Sequence, residues 1–236
     1  MAQPLAEWVE QDVAPFKDRP ISWLTSHHFF RDPARTVTVD NSYFLSPSDG
    51  VLLYQRTVDP DQPVLDIKGR DYSVRDALRQ PKFDQRCLVV GIFMTYYDVH
   101  INRVPYTGYR SFRELPPLHT SNRPMLDAEK SLLEALKLPA DLGYLHTNQR
   151  MLNTIHSPGL GQSYYVVQVA DTEVDQIVSF THQQNQPALQ GERFGQIRYG
   201  SQAELVIPVG DLKLRTIHQT GWHVQAGVDT LVAIEE

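Results

Sequence analysis

The chain has 236 residues, 41% of them hydrophobic, and a formal net charge of −6. It is long enough to bury the core of one domain, and it has no run of about 18 apolar residues that would span a bilayer. The negative charge argues against nucleic-acid binding and gives no overall attraction to anionic membranes. We expect a cytoplasmic protein, because "MAQPLAEWVEQDVAPF" lacks the basic and apolar regions of a secretory signal.

Residues 1–28 are predicted to form a helical segment ahead of the main domain. Apolar residues recur at helical spacing from Leu5 to Val13, and the acidic residues of this stretch lie largely on the opposite side. Helices that lie on membranes are usually rich in Lys and Arg. The acidic face therefore favours packing on the domain, while peripheral membrane contact stays open.

The rest of the chain is predicted to be mostly β, because short apolar or alternating runs are separated by turn residues. The predicted strands are "RTVTV" (35–39), "GVLLYQRTV" (50–58), "PVLDIKG" (63–69), "RCLVVGIFMTYY" (86–97), "SYYVVQVA" (163–170), "DQIVSF" (175–180), "GQIRYG" (195–200), "AELVIP" (203–208) and "TLVAIEE" (230–236). Helices are predicted at 72–80, where Ser73 is a capping residue, and at 125–138. The Pro- and Arg-rich stretch 108–124 is predicted to be an irregular loop.

Several kinds of site are disfavoured by the motifs that are missing. There is no His-Glu-x-x-His, no cysteine pair and no dense carboxylate cluster, so we expect no metal. Phosphate-binding glycine loops and the Gly-x-Ser-x-Gly nucleophile motif are also absent. Cys87 is expected to be a small core residue, and His218 and His223 to be solvated or hydrogen-bonded.

Three residues of reactive types lie far apart in the sequence: Asp49 in "SPSDG", His100 in "DVHINRVP" and Ser201 in "RYGSQ". A carboxylate can orient an imidazole, and the imidazole can take the proton of a hydroxyl, whatever the order along the chain. Any β protein of this size contains such residues, so composition alone gives this triple little support.

Six segments of the chain carry a resemblance to a known family: "FFRDPARTV" (29–37), "LSPSDGVL" (45–52), "IKGRDYSVRDAL" (67–78), "DVHINRVPYTG" (98–108), "HTNQRM" (146–151) and "GERFGQIRYGS" (191–201). In this order they resemble segments of the phosphatidylserine decarboxylase family of pyruvoyl enzymes. The resemblance implies one mostly β domain, a sandwich or barrel related to the lipoyl and biotinyl barrels, with N-terminal and peripheral helices. Residues 29–236 would form this catalytic domain, and the tail "TGWHVQAGVDTLVAIEE" is similar to a strand pair of those barrels.

The resemblance also implies self-processing. A proenzyme would cut itself between Gly200 and Ser201 into chains 1–200 and 201–236, and Ser201 would become a pyruvoyl group. This cofactor would form a Schiff base with the amine of phosphatidylserine and accept electrons as CO2 leaves, giving phosphatidylethanolamine. His100 would be the general acid or base, because the ordinary pKa of histidine is close to working pH, and Asp49 would orient it.

The sequence departs from the family in ways that leave questions open. Many members have a second histidine at the position of Arg103, so the base for self-cleavage is open among His100 and three other histidines: His119, His146 and His156. Tyr97 lies in a stretch that differs from the family, which leaves a water-soluble amino acid or peptide-like substrate as an alternative to the phospholipid.

Arg103 and Arg110 are candidates, with Tyr97, for binding the substrate, since arginine pairs well with phosphate and carboxylate. An unprocessed, non-catalytic β binding module is a further alternative. Assembly into a homo-oligomer remains open.

Overall fold

The computed structural model describes residues 1–172, 177–198 and 201–235, and in these residues the protein is mostly β. The strands are β1 (Gln3–Pro4), β2 (Tyr43–Leu45), β3 (Gly50–Val58), β4 (Pro63–Ile67), β5 (Arg70–Ser73), β6 (Cys87–Met94), β7 (Ile101–Arg103), β8 (Gly108–Leu115), β9 (Arg150–Ser157), β10 (Gln162–Ala170), β11 (Ile177–Ser179), β12 (Gln186–Ala188), β13 (Arg193–Ile197), β14 (Ser201–Pro208), β15 (Lys213–Thr216), β16 (Trp222–Val224) and β17 (Thr230–Glu235).

The helices are short and lie outside the sheets. They are α1 (Leu5–Trp8), which continues as a π-helical turn (Val9–Val13), α2 (Ile21–Trp23), followed by another π-helical turn (Leu24–His28), α3 (Val74–Leu78), α4 (Leu126–Leu133) and α5 (Tyr144–Thr147). The predicted cap of α3 is confirmed, since the Ser73 hydroxyl and the Asp76 carboxylate form a reciprocal capping box.

A nine-stranded antiparallel sheet dominates the described part of the chain, in the order β1-β16-β3-β6-β14-β10-β9-β8-β12. Three smaller sheets accompany it, in the orders β11-β13-β7, β15-β17-β2 and β4-β5. Strand β14 lies at the centre of the large sheet, hydrogen-bonded to β6 on one side and to β10 on the other. The residue that begins this central strand is Ser201.

Apolar side chains cover both faces of the large sheet, which explains why β6 reads as one continuous apolar run. Val89 and Phe93 belong to one buried cluster, and Val90 and Ile92 belong to another on the opposite face. The first cluster includes residues of the N-terminal helix and α4, and the second includes residues of β2 and β17. The predicted mostly β, sandwich-like fold is confirmed.

The N-terminal helical segment packs on the domain. Leu5, Trp8 and Val13 are all buried in the first cluster. Much of the apolar face of this helix is therefore covered by the protein itself.

The structure corrects the sequence prediction in several places. The helix predicted at 125–138 ends at Leu133, and the unpredicted segment Arg150–Ser157 forms β9. "RTVTV" forms no strand, and its Arg35 side chain instead reaches Asp49. Residues 108–115, predicted as loop, form β8, because alternate residues such as Arg110 turn inward. The tail forms no strand pair, since β16 lies in the large sheet and β17 pairs with β2 and β15. Part of the predicted strand 175–180 lies outside the described residues.

Candidate active site

Ser201 is fully buried at the start of β14, where it lies between two neighbouring strands. Its Cα is paired with Met94 at the end of β6 and with Ala170 at the end of β10. The Ser201 Oγ lies 3.4 Å from the Met94 Sδ, which is a weak acceptor. Gly200, the other residue of the predicted cleavage site, lies outside the described residues.

The "DVHINR" segment meets Ser201 at the same sulfur atom. Asn102 on β7 directs its Nδ2 to the Met94 Sδ at 3.8 Å and to the Pro47 carbonyl at 3.3 Å. Its Oδ1 accepts a hydrogen bond of 2.8 Å from Gln168 of β10. Segments far apart in the sequence therefore converge where β14 begins.

His100 is fully buried beside β7, and its two ring nitrogens differ in their surroundings. Nδ1 lies 3.0 Å from the Asp98 carbonyl, to which it can donate. Nε2 has no hydrogen-bond partner among the described residues, and Phe29 stacks on the ring at 3.9 Å between centroids. Burial lowers the pKa of His100 to about 4; Asp98 opposes this shift and the positive charge of Arg31 adds to it. The imidazole is therefore neutral at pH 7.

The hydrogen bonds of Asp49 among the described residues go to Arg35 and Ala226, and its predicted role in orienting His100 stays a prediction. Its two carboxylate oxygens accept hydrogen bonds of 2.6 and 2.7 Å from Arg35, and Oδ1 also accepts one of 2.8 Å from the Ala226 amide. The neighbouring Gly50 has φ of +141°, and a Cβ there would collide with the Phe93 carbonyl. Gly50 thus allows the chain to approach β6 closely directly after the Asp49 carboxylate.

The carboxylate associated with His100 is Asp98, which the sequence analysis did not single out. Asp98 Oδ2 accepts hydrogen bonds from the Thr95 amide (2.7 Å) and hydroxyl (2.8 Å). Asp98 Oδ1 lies 2.5 Å from the Nε2 of His223, a buried residue of β16. Burial alone would raise the pKa of Asp98, but His223 and the Thr95 hydrogen bonds outweigh it, so the pKa lies below its usual value.

Arg31 brings a positive charge close to His100. Its guanidinium donates hydrogen bonds to the carbonyls of His28 (2.8 Å) and Tyr97 (2.6 Å), and no carboxylate forms an ion pair with it among the described residues. Burial lowers the pKa of Arg31, which remains a cation. A cation without a paired carboxylate can bind an anionic group of a substrate.

The predicted substrate-binding residues occupy different places. Tyr97 borders a cavity of about 630 Å³ whose other walls are formed by the N-terminal helix and the end of α4. Arg103 donates to the Gly191 carbonyl at 2.9 Å, and its other terminal nitrogen lies 3.8 Å from Asp32. Tyr97 therefore borders a cavity, whereas the polar groups of Arg103 are largely engaged within the protein.

The guanidinium of Arg110, a buried residue of β8, lies 4.8 Å from the ring centroid of Phe112 and 4.9 Å from that of Phe194. It donates to Asn153 Oδ1 and Ser179 Oγ, each at 2.9 Å. Asn153 in turn donates to Gln168, the residue that bonds Asn102 near Ser201. Arg110 is thus connected to the site through buried amides, and it also lines a separate cavity of about 270 Å³.

The three histidines considered as substitutes lie in different environments. His119 is exposed in a loop, His156 lies on an exposed part of β9 near Ser163, and His146 of α5 packs edge-on against Tyr72. None of the hydrogen bonds of the described residues joins them to Ser201. Within the same residues, no group of three or more His, Cys, Asp or Glu side chains could hold a metal ion, and no helix is long and apolar enough to cross a membrane.

Comparison of the sequence with known proteins identifies its family. Residues 25–231 match the profile of the phosphatidylserine decarboxylase family. The chain belongs to the phosphatidylserine decarboxylase family. The resemblance predicted from the sequence is confirmed, and the protein is a carboxy-lyase.

Its relatives include bacterial and archaeal proteins that are named as proenzymes. A provisionally named archaetidylserine decarboxylase proenzyme of Methanocaldococcus jannaschii is 30% identical over 214 residues, 90% of each chain. A protein of the same name from Methanosarcina barkeri is 30% identical over 88% of this chain and 76% of its own. The phosphatidylserine decarboxylase proenzyme of Gluconacetobacter diazotrophicus is 29% identical over 91% of this chain and 83% of its own.

Proposed function

We propose that this protein cuts its own chain between Gly200 and Ser201, and that Ser201 becomes a pyruvoyl group which decarboxylates a phospholipid with a serine head group. Phosphatidylserine would lose CO2 and give phosphatidylethanolamine. Membership of the family supports this proposal. So do the names of its relatives, which are called decarboxylase proenzymes.

The observation that carries the proposal is the surroundings of Ser201. The side chain is fully buried, and its recorded polar contact is with the Met94 thioether. A pyruvoyl group has no hydroxyl to donate. Because the Met94 sulfur is only a weak acceptor, converting Ser201 would cost the protein no strong hydrogen bond. The residues around position 201 therefore fit the group.

A pyruvoyl carbonyl would supply an electrophile that binds the substrate amine and accepts electrons as CO2 departs. The protein must move a proton, because the amine arrives as an ammonium ion. His100 Nε2 would be the group that receives this proton, because Nδ1 is directed to the Asp98 carbonyl and Nε2 has no hydrogen-bond partner among the described residues. The same nitrogen would then return the proton to the carbon from which CO2 has left.

Binding of the substrate is proposed to involve Arg31 and Tyr97. Arg31 lies close enough to His100 to influence its pKa, and it has no paired carboxylate among the described residues. A phosphodiester is the anion that a serine phospholipid would present there. The cavity beside Tyr97 is lined by apolar residues such as Val9 and Leu133 and also by charged ones such as Lys17, so its apolar walls would suit a hydrocarbon chain. Roles of Arg103 and Arg110 in binding stay predictions.

Self-cleavage is tested by a denaturing gel and intact mass of the purified protein. We expect fragments 1–200 and 201–236, with the smaller one blocked at its N-terminus. Ser201→Ala should stay whole, whereas the control Ser163→Ala on β10 should be cut normally. A wild-type chain that stays whole after prolonged incubation would rule out the proposal and favour a non-catalytic binding module.

The substrate is tested by measuring CO2 release from carboxyl-labelled compounds. Vesicles of phosphatidylserine, vesicles of the corresponding archaeal ether lipid and free serine are compared. We expect release from the lipids and none from free serine. Release from free serine alone would instead support the water-soluble alternative.

A further inference from the structure

A continuous chain of buried side chains runs from the N-terminal helix to His100. Trp8 of α1 stacks on the ring of His223, with centroids 4.3 Å apart and planes 7° from parallel. His223 Nε2 meets the Asp98 carboxylate, and the Asp98 carbonyl meets His100 Nδ1. The exposed fraction of each of these side chains is below 4%.

Asp98 is held from two directions, and this fixes the position of its backbone. Its Oδ2 is bound by the Thr95 amide and hydroxyl, and the Asp98 amide donates to the Thr95 carbonyl at 3.0 Å, which closes a tight turn. Its Oδ1 has His223 as its hydrogen-bond partner among the described residues. Without His223, one oxygen of a buried carboxylate would lose its donor.

The Asp98 carbonyl in turn decides which nitrogen of His100 is free to react. A neutral imidazole that donates Nδ1–H to a carbonyl carries its lone pair on Nε2. Phe29 restricts rotation of the ring by stacking on its face. The orientation and the tautomer of His100 therefore depend on the turn that Asp98 closes.

We propose that His223 is a positioning residue for the decarboxylation: it donates Nε2–H to Asp98 and thereby keeps the Asp98 carbonyl where it holds His100 with Nε2 free. The proposal rests on the function proposed above. It assigns a role to a histidine of segment 201–236, the segment that begins with the reactive Ser201. His223 touches neither the substrate nor the reacting atoms in this proposal.

Stacking on Trp8 is the competing explanation for a buried ring at position 223, and two substitutions separate it from the hydrogen bond. His223→Phe keeps an aromatic ring against Trp8 but has no donor for Asp98. His223→Gln loses the ring but places an amide N–H about as far from the backbone as imidazole Nε2. Thermal melts of both variants show whether each is folded.

Decarboxylation of phosphatidylserine vesicles then gives kcat and KM for each folded, processed variant. In His223→Phe we expect kcat to fall by about 100-fold, at the low end of what a positioned proton-transfer group contributes, with KM within about twofold of the wild type. His223→Gln should restore kcat to within about tenfold of the wild type. Equal losses in both variants, normal activity in both, or a loss confined to His223→Gln would each overturn the proposal.

Nitrogen NMR of the wild-type protein tests the hydrogen bond without any variant. In protein labelled with ¹⁵N-histidine, we expect a proton on Nε2 of His223 and, in neutral His100, a proton on Nδ1 and none on Nε2. If His223 carries its proton on Nδ1 alone, it cannot donate to Asp98 and the proposal fails even if both variants misfold. A wild type that releases no CO2 would defeat the proposed function, while these spectra would still decide the contact.

Discussion

The two buried carboxylates near the candidate site, Asp49 and Asp98, are paired in different ways. Asp49 binds the guanidinium of Arg35 through both oxygens and also accepts the Ala226 amide. Asp98 binds one imidazole nitrogen of His223 and accepts the Thr95 amide. Each has a nitrogen base as partner and a backbone donor, so the two pairs look alike in outline.

The partners nevertheless give the two carboxylates different capacities. A guanidinium stays charged at any ordinary pH and grips a carboxylate in a planar fork, so the Asp49 pair is a fixed connection between distant segments. An imidazole makes a single directed contact, and the residue that it holds is the one whose carbonyl meets His100. From this difference we predict that a change at Asp49 acts mainly on stability, whereas a change at Asp98 acts on the proton chemistry; the role of Asp49 in orienting His100 stays a prediction.

Asp98→Asn should have the largest effect of the changes that we consider. The asparagine side chain has no negative charge to pair with His223. The turn that holds His100 would therefore loosen. We expect kcat to fall by at least about 100-fold, and the free energy of unfolding to fall by about 3 kcal/mol because a buried pair is broken. Vesicle assays and urea unfolding measure the two effects. Activity within a few-fold of the wild type would contradict the distinction between the two carboxylates.

Asp49→Asn should act mainly on stability, because it leaves Arg35 buried without its counter-charge. In a Ser201→Ala background, which keeps the chain in one piece, we expect a loss of about 3 kcal/mol in the free energy of unfolding. Adding Arg35→Met should recover more than half of that loss, since the unpaired charge is then removed. Strictly additive losses in the double variant would show that the two side chains do not act as a pair.

The pH dependence of stability should report the buried, neutral state of His100. Between pH 6.5 and about 4, the unfolded chain binds a proton at this residue that the folded protein does not bind. Stability of the wild type therefore falls as the pH falls through this window, by about 3 kcal/mol for this group.

Comparing chains with and without His100→Gln, both in the Ser201→Ala background, isolates this contribution. Between pH 7 and pH 4, the free energy of unfolding should fall by about 3 kcal/mol more in the chain that has His100 than in the chain that has His100→Gln. Two parallel stability curves would mean that His100 titrates normally.

His218→Gln provides the matched control and the smallest expected effect. His218 lies five residues before His223 in the sequence, but it is partly exposed and stacks on Trp222. We expect stability within about 0.5 kcal/mol and kcat within about twofold of the wild type. A large loss of kcat in this variant would mean that histidines in this region act through a general effect on folding.

The sequence predicted those parts of the structure that depend on local patterns. The strands β3, β6, β10 and β14 follow from apolar runs, and the cap of α3 follows from Ser73 and Asp76. Asn102 of the "DVHINRVP" segment and Ser201 contact the same Met94 sulfur, because strands β6, β7 and β14 converge there.

The pairings between side chains could not be predicted, because they depend on how distant segments meet. Val37 and Val39 give "RTVTV" the alternation of a strand. The stretch instead places the Arg35 guanidinium against Asp49, a contact that no local pattern shows. His223 and His218 look equivalent in the sequence, and the pairing of β16 with β3 separates them. Asp98 and His223 are 125 residues apart, so no local pattern connects them.

The central position of β14 has a consequence for the protein after self-cleavage. The fragment 201–236 would contribute β14 to the middle of the large sheet, β16 to another part of the same sheet, and β15 and β17 to a separate sheet. Its release would require strands to be extracted from two sheets at once. The processed protein would therefore behave as a permanent heterodimer whose subunit interface is the protein core, and breaking one peptide bond would cost it little of its resistance to unfolding.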